Sequence, residues 1–427
     1  MSSGHCPTPR ENPGSGTNWS VEATCVDANG RRRSRLEIDT TTGRIVGRSD
    51  PDGTCDWRLD DELLLLPGFV DIHVHCRDDP GGDERYKEDF GSASLAALHG
   101  GVVLVGDMPN NPQAPVDTDS YESKRQEVLA RAKIDVVLYG GVGPGTVPFG
   151  QHPYKCYYGP SVGDLNFVGK GTPATPLAHY GGHFVAFHAE SEEVLEACAG
   201  AATHEERRPA EAEARAVAEI LDLAREIGFR PHIAHLSSAA GLEEIRKGRA
   251  AGLDVTCEVT PHHLFFDDQN RGDFEHGDWL QMNPPLRTAA DRAALMEAFA
   301  NGEIDILATD HAPHSLDENE RGISGVPLLD TFGAFVTLLA AQGIPWEVLV
   351  ERCCRRPAEL FAPFLDGPLG TLEVGSLASF AVVDPTTPWR VQAEDVQTRA
   401  SWSPFEGAEF PGRVAHTVVR GQIYDNC

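Results

Sequence analysis

The chain has 427 residues, of which 41% are hydrophobic and 24% charged, as in an ordinary globular protein. Asp and Glu outnumber Lys and Arg by 65 to 36, so the formal net charge is −29 and we expect no nucleic-acid partner. No apolar run reaches the roughly 18 residues that a membrane span needs, and the polar start MSSGHCPTPRENPGSG does not resemble a secretory signal. The ten cysteines are scattered without a C-x-x-C pair, which favours reduced thiols and a cytoplasmic location.

The chain divides into four segments by its pattern. Residues 1–18 are rich in Pro, Gly and polar side chains, which predicts a flexible tail. Residues 19–66 carry short β-like runs separated by polar turns, and residues 365–427 return to the same pattern. Residues 67–364 alternate apolar strand runs with helical segments, which is typical of βα units and a parallel sheet.

The middle segment contains eight strand candidates and one especially clear helix. The helix spans 209–228, with Pro and Gly at its ends. Eight strands with intervening helices predict an α/β fold of the (β/α)8 TIM-barrel type, and the two β-rich ends predict a small β-sandwich built from both terminal segments. The strand candidates are 69–75, 102–108, 134–140, 154–158, 184–188, 231–235, 253–260 and 304–311.

The strongest local motif is the run DIHVHCR at the end of the first strand. Side chains of a strand alternate between its two faces, so His73 and His75 point the same way. Two imidazoles side by side are what a metal ion requires of its ligands, although a single histidine is more often structural. The pair therefore favours a metal site.

Later strands also end in residues that commonly bind metals. His188, His235 and Asp310 follow the predicted fifth, sixth and eighth strands, whose carboxyl ends converge on one mouth of a barrel. Lys155 lies in the apolar fourth strand, where a lysine would ordinarily extend toward water. An ammonium group repels metal ions, so Lys155 can join this cluster only if it is neutralised or converted to an anion, for instance by carbamylation.

Taken together, these residues resemble the amidohydrolase superfamily and are most similar to the class I dihydroorotases. The resemblance covers roughly residues 66 to 424 and rests on further segments beside the ligand positions. These are KEDF at 87–90, GDMPN at 106–110, CEVTPHHL at 257–264, NPPLR at 283–287, ATDHAPH at 308–314 and SPFEG at 403–407.

The resemblance implies a reaction and a metal centre. The reaction is the zinc-dependent, reversible cyclisation of N-carbamoyl-L-aspartate to (S)-dihydroorotate and water in pyrimidine synthesis. Two zinc ions per chain are implied, bridged by hydroxide and carboxylated Lys155, with Asp310 also acting as the catalytic base. The ligands of the more buried ion would be His73, His75 and Asp310, and those of the more exposed ion His188 and His235.

The resemblance also implies a substrate-binding set. Arg77, Asn110 and His314 would bind the substrate carboxylate, and the planar guanidinium of Arg77 suits that group. Asn283 would contact the dihydropyrimidine ring, with the backbone near Ser324 and Gly325 doing likewise. An uncharged substrate would leave Arg77 as an unexplained charge beside two dications.

Three segments depart from the family pattern, one of them GVPLLDT at 325–331. The chain has RDDPG at 77–81 where many relatives have R-E-P-G, and MPNN at 108–111 where they have M-P-N-T. These changes bear on substrate fit more than on metal binding. Allantoinase and hydantoinase or dihydropyrimidinase activity remain alternatives, because those enzymes share the metal ligands but bind uncharged rings or ureido groups. A metal-free scaffold for aspartate carbamoyltransferase is a third, which the six intact ligand positions disfavour.

Two further expectations concern the binding partners of the protein and a second cluster of polar residues. The partner we expect is a small-molecule substrate, with a homodimer and an association with aspartate carbamoyltransferase as further candidates. Cys257, Glu258, His262 and His263 lie together at the seventh strand. We interpret them as hydrogen-bonding support for the site, in preference to ligands of a third metal.

Overall fold

A computed structural model describes residues 18–28, 30–160 and 165–426. The tail predicted at 1–18 lies, apart from Asn18, outside the described residues.

The strands, in chain order, are β1 (Asn18–Asp27), β2 (Gly30–Asp39), β3 (Arg44–Ser49), β4 (Trp57–Arg58), β5 (Leu64–Pro67), β6 (Phe69–Val74), β7 (Val102–Asp107), β8 (Asp135–Leu138), β9 (Gly140–Val142), β10 (Tyr154–Tyr157), β11 (Phe184–His188), β12 (Arg230–Ile233), β13 (Thr256–Val259), β14 (Ile306–Leu307), β15 (Phe380–Asp384), β16 (Trp389–Arg390), β17 (Glu409–Phe410), β18 (Arg413–Val419) and β19 (Gln422–Asp425). The α-helices are α1 (Phe90–His99), α2 (Thr118–Arg131), α3 (Ala174–Leu177), α4 (Glu192–Cys198), α5 (His204–Arg207), α6 (Ala210–Ile227), α7 (Ala239–Ala250), α8 (Pro261–Phe265), α9 (Ala289–Asn301), α10 (Leu316–Glu320), α11 (Phe332–Ala341), α12 (Trp346–Val350) and α13 (Arg356–Phe361). Short 3₁₀ segments lie at Asn270–Asp273, Gly277–Trp279, Leu329–Thr331, Ala362–Phe364 and Ala393–Asp395, and a π-helical turn at Glu351–Arg355 joins α12 to α13.

Parallel strands with helices between them form the middle of the molecule. β6, β7 and β8 pair in parallel in that order, and so do β9 through β14. A parallel bridge joins Val74 to His311, and the His75 N–H donates to the His311 carbonyl at 2.8 Å. The first strand of the series therefore lies next to the segment that follows the last one, in a mixed α/β fold.

Strand lengths differ from the predictions at two places. The run predicted at 134–140 ends at Leu138, and a separate short strand, β9, follows it. The run predicted at 304–311 pairs only over Ile306–Leu307. Asp310 has a left-handed backbone with φ of 50°, which no strand residue adopts, so regular pairing has ended before it.

The helix predicted at 209–228 is confirmed as α6. Pro209 lies at its N-terminus and Gly228, with φ of 86°, ends it in the left-handed conformation that glycine adopts without strain. Its buried face includes Val217, Ile220 and Leu221, which pack in the main core.

Strands from both ends of the chain form one large sheet. Its order is β19-β18-β15-β5-β1-β2-β3, with β4 pairing alongside β1. Successive side chains of a strand face opposite ways, and accordingly Leu64 and Leu66 pack in the main core while Leu65 packs in a separate core on the other face. Because only Gly68 separates β5 from β6, this sheet is attached directly to the strand that carries the DIHVHCR motif.

Within the described ranges, no helix combines the length and apolarity that crossing a bilayer would require.

Candidate metal centre

The six predicted ligand positions meet at one cavity. His73, Lys155 and His188 lie within β6, β10 and β11, whereas the others follow their strands by a few residues. The side chains that line the cavity include all six, namely His73, His75, Lys155, His188, His235 and Asp310. All are buried except Asp310, whose side chain is 12% exposed.

One half of the cluster is centred on a carboxylate oxygen. Asp310 Oδ1 lies 3.2 Å from His73 Nε2 and 3.1 Å from His75 Nε2. Lys155 Nζ is 3.5 Å from the same His73 nitrogen. Two imidazole nitrogens and a carboxylate oxygen at these separations are a donor set suited to zinc.

The other half consists of two imidazoles facing each other. His188 Nδ1 lies 2.9 Å from His235 Nε2. The halves adjoin, because ligand atoms of His73, His235 and Asp310 all lie within 4.8 Å of one another. The cluster therefore brings metal-binding side chains of both halves to one place.

Burial sets the protonation of these groups. It lowers the pKa of each of the four histidines, so the imidazoles are neutral and carry the lone pair that a metal needs. Burial also lowers the pKa of Lys155, to about 8. It raises the pKa of Asp310, although the nearby His73 and Lys155 oppose that change.

Hydrogen bonds on the far side of the rings orient two of the predicted ligands. His73 Nδ1 donates to Glu258, and His75 Nδ1 donates to Asn110 Oδ1 at 2.7 Å. In both residues the Nε2 lone pair then faces the Asp310 side of the cavity. Such outer contacts fix the tautomer and direction of a metal-binding histidine.

The backbone is strained at three site residues. Among the described residues other than glycine, positive φ occurs at five, and Arg77, His235 and Asp310 are three of them, with φ of 55°, 37° and 50°. Such conformations cost free energy and persist where the surroundings enforce them, often at functional sites. Each turns the chain sharply just after a strand, which directs the side chain into the cavity.

The predicted carboxylate-binding residues also lie together. Arg77 and Asn110 line the cavity, and Arg77 Nε donates to the Pro313 carbonyl at 3.3 Å. His314 lies behind Arg77, with Nε2 3.1 Å from Arg77 Nη2 and Nδ1 3.3 Å from Glu318 Oε2. Burial, Arg77 and Lys87 hold the pKa of His314 at about 3, so the neutral ring accepts a hydrogen bond from Arg77.

Asn283 also lines the cavity. The Ser324 hydroxyl donates to Asn283 Oδ1 at 3.3 Å, and Ser324 and Gly325 line the cavity beside it. The Asn283 side chain and the backbone near Ser324 and Gly325, which are predicted to contact the ring of the substrate, thus lie at one location.

The longer loop after His75 is anchored by Asp79, one of its two adjacent acidic residues. Asp79 is 1% exposed and accepts hydrogen bonds from the Gly82 N–H at 2.8 Å and the Gln113 N–H at 2.9 Å. It therefore joins the loop of Arg77 to the loop that contains Asn110.

The members of the polar cluster at β13 have two different roles. Glu258 supports predicted metal ligands, whereas His263 packs against neighbouring residues. Glu258 accepts hydrogen bonds from His73 and from the His235 N–H, whereas His263 contacts Thr260 and the Pro284 carbonyl. In the part of the chain that the structure describes, the one group spaced to hold a metal ion is His73, His235 and Asp310. A third ion at this cluster thus gains no support.

Sequence inspection missed two contributors to the site. Tyr157 lines the cavity and could have been found, since it lies two residues after Lys155 on the same face of β10. Glu190 lies 2.9 Å from His188 Nε2, and the i+2 spacing was the only available signal for it.

Comparison with known proteins agrees with this geometry. Residues 64–424 match the Amidohydrolase family. The chain is 34% identical to a dihydroorotase of Thermococcus kodakarensis over 84% of its own length and 83% of the relative, and 34% identical to one of Mycobacterium tuberculosis over 84% and 87%. The L-hydantoinase (dihydropyrimidinase) structure from Arthrobacter aurescens superposes with a TM-score of 0.84 at 26% identity, covering 95% of each chain. The chain therefore belongs to the amidohydrolase family and, within it, to the dihydroorotases.

Proposed function

We propose that this protein is a zinc-dependent dihydroorotase, which interconverts N-carbamoyl-L-aspartate with (S)-dihydroorotate and water. The observation that carries the proposal is a buried guanidinium, Arg77, on the lining of the cavity that also holds six metal-type ligands. A buried cation at that place matches a substrate with a carboxylate. The dihydroorotase relatives support the same substrate class.

The donor set fits two zinc ions. His73, His75 and Asp310 would hold one, His188 and His235 the other, and carboxylated Lys155 would bridge them. Bound zinc supplies a Lewis acid for the amide carbonyl and lowers the pKa of water at the site.

The chain's own residues supply binding and proton transfer. Arg77, oriented by His314, pairs with the substrate carboxylate, and Asn110 adds a side-chain amide to it. Asn283 and the backbone near Ser324 orient the ring. The Asp310 carboxylate accepts the proton of the attacking water and delivers it to the departing ring nitrogen, which is the role of a general base that then acts as an acid.

Hydantoinase activity is the second candidate, because the similar structure from Arthrobacter aurescens is an L-hydantoinase. The two activities differ in whether the ring carries a carboxylate. Arg77 favours the charged ring.

A parallel assay of zinc-loaded protein on dihydroorotate, hydantoin, allantoin and dihydrouracil tests the proposal. We expect turnover of dihydroorotate, with about two zinc ions per chain on the same sample, as a binuclear site requires. Turnover of the uncharged rings alone would overturn the assignment. Absence of both zinc and turnover would favour the scaffold alternative.

Several finer statements accompany this function as proposals. We propose that the parallel strands close into a (β/α)8 barrel over 67–364, and that 19–66 and 365–427 form a β-sandwich. A cytoplasmic location, a homodimer and an association with aspartate carbamoyltransferase stay predictions.

A further inference from the structure

We propose that two buried carboxylates position the metal centre unequally: Glu190 acts on His188 alone, whereas Glu258 holds ligands of both halves. The inference rests on the proposed zinc site but concerns residues outside the ligand set. Its consequence is that removing Glu190 weakens the binding of one zinc ion, whereas removing Glu258 weakens the binding of both.

Glu258 contacts both halves through one oxygen. Its Oε1 accepts the hydrogen bond from His73 Nδ1 and also the bond from the His235 main-chain N–H at 3.0 Å. The first contact leaves His73 Nε2 unprotonated on the side of Asp310, 3.2 Å away. The second stabilises the backbone of His235, whose φ of 37° is strained and needs an external contact to persist.

Glu258 is itself held in place. Its Oε2 lies 2.9 Å from His232 Nε2, and His232 Nδ1 lies 2.8 Å from the Thr256 hydroxyl. Both His232 and Glu258 are about fully buried. Because protein groups hold both oxygens of Glu258, its carboxylate orients its partners without any contribution from solvent.

Glu190 contacts only one ligand. Its Oε2 lies 2.9 Å from His188 Nε2, on the side of the ring opposite to Nδ1, which faces His235. Arg208 binds the same carboxylate through Nε and Nη2 and also donates to the Pro160 carbonyl at 2.9 Å. The Glu190 carboxylate thus lies within ion-pair distance of His188 and, among the contacts that the structure describes for it, reaches no other predicted ligand.

Zinc retention distinguishes the two roles. Glu190→Leu, Glu258→Leu and the parent holoenzyme are dialysed against graded zinc–chelator buffers, and zinc per chain is measured by atomic absorption. We expect Glu190→Leu to lose about 10- to 100-fold in affinity for one ion and to keep the other. Glu258→Leu should lose a similar factor for both ions.

Glu213→Leu is the matched control. Glu213 is an equally buried carboxylate near the site, but it accepts hydrogen bonds from Ser237 and Ser238, and no hydrogen bond or ion pair that the structure describes joins it to a predicted ligand ring. We expect it to retain both ions like the parent. Equal zinc loss in all three variants would mean that any buried carboxylate has this effect and would overturn the proposal.

A double-variant test locates the effect of Glu190. In a His188→Ala background, Glu190→Leu should cause no further loss of zinc affinity, since its only target is gone. A full additional loss there would overturn the assignment. If the loss of the Arg208 partner prevents folding, Glu190→Gln and the paired Glu190→Gln, Arg208→Gln variant give the same comparison, with the expected order unchanged.

The outcome is separable from that of the proposed function. A parent protein that binds two zinc ions without turning over dihydroorotate would contradict the function and leave the positioning roles measurable. A parent that binds two ions and turns over dihydroorotate, but whose variants retain zinc equally, would contradict only the positioning roles.

Discussion

Lys155 shows how the surroundings of one residue change its chemistry. The side chain is fully buried and lies 3.5 Å from His73 Nε2, in a cavity with three other imidazoles. A charged ammonium there would repel any metal ion that the histidines bind. Burial favours the neutral amine, and a neutral amine is the form that reacts with carbon dioxide.

Lys155→Ala should therefore lose both turnover and most of the bound zinc, because the anionic bridge is removed. Zinc content and activity on dihydroorotate are measured on the same preparation. Lys247→Ala, at an exposed lysine on α7, is the control and should match the parent. A fully active Lys155→Ala variant would remove this residue from the site.

Arg77→Met should instead separate substrate binding from metal binding. We expect KM for dihydroorotate to rise by roughly 10-fold or more, since loss of a charge-assisted contact costs about 1.5–3 kcal/mol. Zinc content should stay at the parental value because Arg77 is assigned to the substrate. An unchanged KM with reduced zinc would contradict that assignment.

The helix α2 holds the loop that contains Asn110 in place through buried polar contacts. Lys124 of α2 is fully buried, and its Nζ lies 2.6 Å from Asp107 Oδ2 at the end of β7. The same ammonium donates to Asn111, the residue that departs from the usual family pattern. One helix thus fixes the loop that presents Asn110 to the cavity.

Lys124→Met should destabilise the protein by about 3–5 kcal/mol, because it leaves the Asp107 carboxylate buried without its partner. Urea unfolding followed by circular dichroism measures the change. The paired variant Lys124→Met, Asp107→Asn removes both charges and should recover much of the loss. A double variant no more stable than Lys124→Met would argue against the ion pair as the cause.

Asp79, in the longer loop after His75, offers a test of the loop geometry. Asp79→Ala removes the contacts to Gly82 and Gln113 and should allow the Arg77 and Asn110 loops to separate. We expect KM for dihydroorotate to rise several-fold while zinc content is retained. Asp83→Ala, at an exposed position of the same loop, should behave as the parent, and equal effects of both variants would contradict the proposed coupling.

At the scale of the whole molecule, the net charge affects the stability of the fold. The excess of 29 negative charges produces self-repulsion that favours expansion of the chain. Many surface arginines form ion pairs with acidic residues, yet such exposed pairs contribute little individually. Repulsion should therefore outweigh surface attraction.

Raising NaCl from 0.1 M to 1 M shortens the screening length from about 10 Å to about 3 Å. We expect the Tm of the protein to increase over this range because repulsion is screened more than the buried contacts are. Differential scanning calorimetry in NaCl measures the shift. A Tm that falls with salt would mean that the ion pairs stabilise the fold more than repulsion weakens it.

The amino-acid sequence by itself determined the alternation of strands and helices, α6 with its ends, and the six candidate ligand residues that the structure brings to one cavity. These features follow local periodicity or strand-end placement, and both are visible along the chain. The tertiary structure alone decided which far-side groups orient the ligands. Glu258 and His73 are 185 residues apart, and Lys124 reaches Asp107 from a different element. Such pairings depend on how strands and helices pack, so they cannot be predicted from the spacing of residues along the chain.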